Sequence, residues 1–217
     1  MEPADQVIAT KADLFAADAA RDVEICGCSL VASEGVRPEL AVGGAHDPTP
    51  TPYFVLDELL APLGLTANDH LLDVGCGTGR VLAYVAAQLP CRATGVELDP
   101  RLAAAAAAWT APYERLSVIA GSVLDIPLAP YTHFYLFNPF DTPVLVRFLD
   151  KLEREVRHPV TLIHMSDNGE SYAYLGRPGW HLMRTGAIQT YQVPSGQHIQ
   201  VYDFPQHYSV WGYDQVD

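Results

Sequence analysis

Two carboxylates and a cluster of glycines carry the chemistry legible in this chain. Asp73 ends the apolar run Leu71-Leu72-Asp73-Val74, and Gly75-Cys76-Gly77-Thr78-Gly79-Arg80 follows at once. Glycines carry no Cβ, so backbone in such a turn can come close to a ligand. A helix opening at Thr78 would present unpaired N–H groups at the same place. Glu97 stands 22 residues beyond Gly75, near the end of a second apolar run, Ala93-Thr94-Gly95-Val96-Glu97-Leu98-Asp99. An acid at about that distance, on the tip of the neighbouring strand, accepts hydrogen bonds from ribose hydroxyls. Together the two strand tips suit a nucleoside carrying a further group.

The glycine spacing narrows the ligand. A dinucleotide fingerprint requires G-x-G-x-x-G. From Gly75 the frame reaches Arg80, and from Gly77 it reaches Leu82, so the third glycine is absent in both. What stands here is G-x-G-x-G. The stretch Leu71 to Gly79 resembles motif I of the class I S-adenosylmethionine (SAM) dependent methyltransferases. Charge agrees, because SAM carries a sulfonium and an ammonium against one carboxylate. The resemblance spans roughly residues 46 to 166. Glu97 falls where that family carries its ribose-binding acid. Tyr135-Leu136-Phe137-Asn138-Pro139-Phe140 falls where many members carry Asn or Asp, two prolines and an aromatic, a signature mostly of nitrogen methylation. This chain has one proline fewer. It also has Ser122 where many members place an acid for the adenine amino group.

The resemblance implies SAM as cofactor, S-adenosylhomocysteine as product, and no metal. It implies a cofactor site made of Asp73, Gly75, Cys76, Gly77, Gly79, Glu97 and Leu98, with Ser122 and Val123 at the adenine. Asn138 would face the methyl group, and Thr51 or Tyr53 would cross the methionine end. Methyl transfer is an in-line displacement, so the protein chiefly aligns a nucleophile and excludes water. A protonated amine or a hydroxyl must also lose a proton. Asn138 is the candidate acceptor for an amine proton, and His133 and His164 are the candidate bases. A histidine inside an apolar strand is also an ordinary core residue.

The elements that must position these groups follow from the pattern. Strands are expected near residues 71–74, 93–99, 116–120, 132–138 and 160–166, with helices over 78–88, from Asp99-Pro100 through the run Ala103 to Ala108, and over 142–157 between them. Asp99 and Pro100 make a good N-cap and first helical residue. Residues 180–191 and 197–204 alternate like a final strand pair, with Pro194-Ser195-Gly196 as their turn. The expected architecture is a doubly wound α/β fold with a seven-stranded, mostly parallel sheet whose last strand is antiparallel. Residues 1–45 read as an N-terminal helical extension, and 46–217 as the cofactor-binding domain. The extension carries an amphipathic helix over 5–25, which serves either as cover for the sheet edge or as a lid. Arg80, in the first turn of its helix, is expected to pair with Asp73 or Glu97.

Composition adds bounds. At 217 residues, with 49% hydrophobic and 18% charged residues, the chain can bury one full core. A net charge of −13 opposes binding to a phosphate backbone, so nucleic acid is not an expected partner. A small-molecule substrate, methylated on nitrogen or oxygen, is the expected one, with a lysine or other amine of a protein as the alternative. A homodimer is compatible with the sequence. No apolar stretch is long enough to span a membrane and the start does not read as a signal peptide, so no membrane partner and a cytoplasmic location are expected. Cys26, Cys28, Cys76 and Cys91 lack metal-site spacing and read as free thiols. The rival readings are a nucleotide-dependent oxidoreductase and a SAM-binding regulatory module without catalysis.

Overall fold

The computed structural model describes residues 8–31, 35, 37–41, 44–165, 170–193 and 196–215. The sheet is built from β1 (His70–Val74), β2 (Arg92–Glu97), β3 (Leu116–Ala120), β4 (His133–Phe137) and β5 (Val160–Met165), all parallel to one another. Two further strands complete it, β6 (Trp180–Ile188) and, after an excursion, a strand over Gln206–Tyr213. The excursion is a separate hairpin of β7 (Thr190–Gln192) and β8 (His198–Gln200), so the Gln206–Tyr213 strand is β9. The order across the seven-stranded sheet is β3-β2-β1-β4-β5-β9-β6, with β9 antiparallel to both neighbours.

This confirms the fold class and corrects the pairing at the C-terminal end. Residues 180–191 and 197–204 alternate, but they do not pair as one long hairpin. The true partner of β6 is β9. Its residues from Tyr208 to Tyr213 are buried, as befits an interior strand, whereas β6 is a largely exposed edge. Pro194 and Ser195 of the expected turn lie outside the described residues. So do residues 5–7 of the expected N-terminal helix and Ser166 of the expected fifth strand.

Strand parity splits the apolar residues into two cores. Leu71, Tyr135 and Ile163 pack on the face covered by α3 (Tyr53–Leu60) and α4 (Arg80–Gln88), against Leu56, Leu59, Leu82 and Val85. Leu72, Phe134, Leu136 and Leu162 pack on the opposite face against Leu145, Phe148, Leu149 and Leu152 of α6 (Thr142–Glu155). Being buried on both faces is what makes these strands read as continuous apolar runs. The helix between β2 and β3, α5 (Pro100–Thr110), starts as expected: Asp99 is its N-cap, accepting from the Arg101 N–H at 2.9 Å.

The N-terminal helix α1 runs from Lys11 to Cys26 and opens on a capping box between Thr10 and Asp13. Its inward face is acidic as well as apolar, with Leu14, Asp18 and Asp22 buried. Arg80, at the start of α4, reaches across to these acids. Its Nε is 3.0 Å from Asp22 Oδ1, its Nη2 2.5 Å from Asp22 Oδ2, and its Nη1 3.7 Å from Asp18 Oδ2. Arg80 therefore does not pair with Asp73 or Glu97, because two buried acids on α1 claim its guanidinium. Burial pushes the Asp18 carboxyl up to about 6, against the opposing pull of Arg80.

Candidate cofactor and acceptor site

At the point where strand order reverses, between β1 and β4, the carboxyl ends of the strands open into a crevice of about 320 Å³. Doubly wound sheets place their ligands at this switch point. One wall is the turn after β1. Gly75, Gly77 and Gly79 all have positive φ, at 76°, 54° and 96°. A Cβ on Gly75 would stand 2.8 Å from Pro139 Cβ, so the close approach of the β1 and β4 turns requires glycine there. The N–H groups of Gly75 and Cys76 donate to the Val96 carbonyl, at 2.9 and 3.1 Å, which ties the turn to β2.

Glu97 organises the second wall. Its Oε2 accepts from the Gly77 N–H and its Oε1 from the Asp99 N–H, both at 2.8 Å. Those bonds hold the carboxylate at the crevice with lone pairs to spare for a diol. Burial pushes its carboxyl above the usual range, although the backbone donors oppose this. Asp73 lies deeper. It is buried, and its Oδ2 has no hydrogen-bond partner. Burial first, and then the neighbouring Glu97, push its carboxyl up to about 8.

Asn138 forms the third wall. It is the one non-glycine among the described residues with positive φ, at 43°, and its buried Oδ1 also lacks a partner. Buried polar atoms normally find partners. Two orphaned acceptors in one crevice therefore ask for donors or cations from a ligand. SAM meets the demand of Asp73 with its positive charge and amino group, so the residues present fit it, and the Asn138 acceptor is left for a second donor. Ser122, Val123 and Leu98 also line the crevice, and the Ser122 hydroxyl accepts from the Leu124 N–H at 3.1 Å.

The sequence-derived site assembles around this crevice with four exceptions. Asp73, Gly75, Cys76, Gly77, Glu97, Leu98, Ser122, Val123 and Asn138 all line it. Gly79 does not. It is the N-cap of α4, and a Cβ there would meet the Trp109 ring at 3.1 Å. Tyr53 is turned away, with its hydroxyl donating to Asp22 at 3.0 Å, and Thr51 lines the crevice instead, 3.0 Å from the Tyr135 hydroxyl. His133 begins β4, so it sits at the amino end of the sheet, away from the crevice, with Nδ1 2.9 Å from Thr132 Oγ1. His164 is buried beneath Tyr174, whose hydroxyl is 3.1 Å from its Nδ1. Burial pushes His164 down to about 4. Neither histidine lines the crevice, so the structure does not bring the two candidate bases to it. His46, which no local pattern marks, is the histidine that lines the crevice among the described residues.

The state of Asp73 sets a pH dependence. A bound cation favours the ionised carboxylate, so binding of SAM releases a proton below about pH 8. SAM affinity is expected to rise with pH by up to about tenfold per unit and to level off above that value. S-adenosylhomocysteine, with a neutral sulfur, should show a shallower rise. Titration calorimetry from pH 6 to 9 checks this, and a flat SAM profile contradicts it.

Comparison with known proteins agrees with the geometry. Residues 71–158 match the methyltransferase domain family. The ribosomal RNA small subunit methyltransferase A of Prochlorococcus marinus is 31% identical over 112 residues, covering 48% of this chain and 40% of that protein. The protein of the same name from Geobacter sulfurreducens is 29% identical over 127 residues, covering 54% and 45%. The chain thus spans less than half the length of the curated relatives it matches. An RNA methyltransferase from Salinibacter ruber, solved with S-adenosylhomocysteine, superimposes with a TM-score of 0.56 at 18% identity, covering 78% of this chain and 96% of that one. These names overturn the expectation that nucleic acid is excluded. A net charge sums the whole surface, while a substrate meets one crevice, whose rim here carries the exposed Arg147. Among the described residues no helix is long and apolar enough to cross a membrane. Sheet order, glycine turn, paired acids and the match over residues 71–158 agree on a methyltransferase domain with the fold of class I S-adenosylmethionine-dependent methyltransferases.

Proposed function

We propose that this chain transfers the methyl group of SAM to a nitrogen presented against Asn138. The observation that carries the reading is the buried, unpartnered Oδ1 of Asn138, held in a left-handed turn on the same crevice as the unpartnered Asp73. An amide oxygen there accepts a hydrogen bond from an amine and aims the nitrogen lone pair along the methyl–sulfur axis. Asp73 meets the positive end of the cofactor, Glu97 the ribose, and Val123 the base. Phe140, which also lines the crevice, offers a flat surface for a planar acceptor. The relatives' names make ribosomal RNA the first acceptor to try, and the exposed Arg147 on the crevice rim suits a phosphate beside the target base.

The test is transfer of tritium from methyl-labelled SAM to RNA extracted from small ribosomal subunits. Free amines and a lysine-rich protein serve as parallel acceptors. Label on an amino nitrogen is expected, and Asn138→Ala should lower the rate at least about tenfold with little change in SAM affinity. Label on oxygen, or an unchanged rate in Asn138→Ala, contradicts the assignment. SAM binding without transfer to any acceptor would favour a regulatory module.

A further inference from the structure

The two main-chain carbonyls that follow β4 are both engaged by one residue. His46 Nδ1 lies 2.8 Å from the Asn138 carbonyl oxygen, and the His46 main-chain N–H donates to the Pro139 carbonyl at 3.3 Å. The other ring nitrogen, Nε2, lies 2.9 Å from Asp141 Oδ1. Both ring nitrogens are thus engaged, one by the Asn138 carbonyl and the other by the Asp141 carboxylate.

The surrounding backbone supports the same contact. Ala45 forms an antiparallel bridge with Phe140, and the Asp141 N–H donates to the Gly44 carbonyl at 3.1 Å. Residues 44–46 therefore form a strap across the Asn138-Pro139-Phe140 turn. Asp141 occupies the N-cap of α6, where an Asp side chain ordinarily accepts from the first-turn N–H groups. It makes no such cap bond here. Its carboxylate is spent on His46 instead.

Asn138 sits at φ 43°, in the left-handed region that asparagine enters more readily than other non-glycine residues, and the strap contacts at its carbonyl and at Pro139 engage the turn in that state. The side chain left over is the orphaned Oδ1 in the crevice. We infer that His46, braced by Asp141, is a positioning residue for the acceptor nitrogen: it holds the Asn138 turn so that Oδ1 faces the reacting atom. The inference rests on the nitrogen-transfer reading for its kinetic consequence, and on geometry alone for its conformational one.

Three proteins separate the possibilities: wild type, His46→Ala and His46→Asn, the last keeping a donor near the Nδ1 position. Crystal structures of each with S-adenosylhomocysteine read the turn directly. Asn138 should leave positive φ in His46→Ala and keep it in His46→Asn. In the tritium assay on small-subunit ribosomal RNA and free amines, His46→Ala should lower kcat at least about tenfold with the SAM KM within about threefold. His46→Asn should recover most of that loss. Melting temperatures of the three check that the fold is intact.

An Asn138 turn that survives unchanged in His46→Ala overturns the proposal, whatever the activity. His46→Asn as slow as His46→Ala with the turn intact also overturns it, since His46 would then act on the substrate itself, as a proton acceptor. If the wild type transfers no methyl group to any acceptor, the function reading fails, and the crystal structures still decide the role of His46.

Discussion

Replacing Arg80 with Met should destabilise the protein by about 3–5 kcal/mol, the cost of leaving buried carboxylates without their cation. The Asp22 side chain is 0% exposed and that of Asp18 6%, so water cannot take the place of the guanidinium. Asp22 also accepts from the Tyr53 hydroxyl at 3.0 Å and from the Leu30 N–H at 3.2 Å. Loss of the ion cluster would therefore loosen α1, α3 and the segment leading to Leu30, which lines the crevice. The Thr78 hydroxyl, which donates to the Leu30 carbonyl, joins that segment to the glycine turn. Urea denaturation at pH 7.5 measures the loss. Adding Asp22→Asn to Arg80→Met removes one orphaned charge and should restore part of the stability. A loss below about 1 kcal/mol in Arg80→Met, or none recovered in the double variant, contradicts the account.

Glu97→Ala should weaken S-adenosylhomocysteine binding at least about 100-fold, close to 3 kcal/mol. Two effects add. The Gly77 and Asp99 N–H groups lose their acceptor, so the glycine turn loses its anchor to the end of β2. With Glu97 as the proposed ribose acceptor, the ribose hydroxyls are expected to lose theirs as well. Glu97→Gln keeps one carbonyl oxygen and should fall between the two. Equal binding by Glu97→Ala and wild type, measured by calorimetry, would remove Glu97 from the site.

What was legible in the sequence was the part encoded locally. Asp73 to Gly77, Glu97 and the Asp99-Pro100 cap are short runs whose chemistry and conformation are set by adjacent residues: the first two line the crevice and the third starts α5, whereas Gly79 starts α4 outside the crevice. What escaped was set by contacts between distant segments. His46 meets Asn138 across 92 positions, and Arg80 meets Asp22 across 58. No spacing rule links such pairs. His133 and His164 show a different limit: the strands were placed correctly, but a residue's use depends on which end of the strand it occupies and what lies over it. His133 stands at the amino end and His164 under Tyr174. At the C-terminal end, alternation in 197–204 competed with alternation in 206–213, and burial between β5 and β6 selected the latter. A net charge of −13, summed over the whole surface, says nothing about one rim.

The crevice at the β1–β4 switch point is expected to hold SAM. Calorimetric titration of the purified protein with SAM and S-adenosylhomocysteine at pH 8 tests it most directly. The account predicts one site per chain with micromolar affinity for both ligands. No binding of either at millimolar concentration, or binding that Glu97→Ala leaves unchanged, would contradict it.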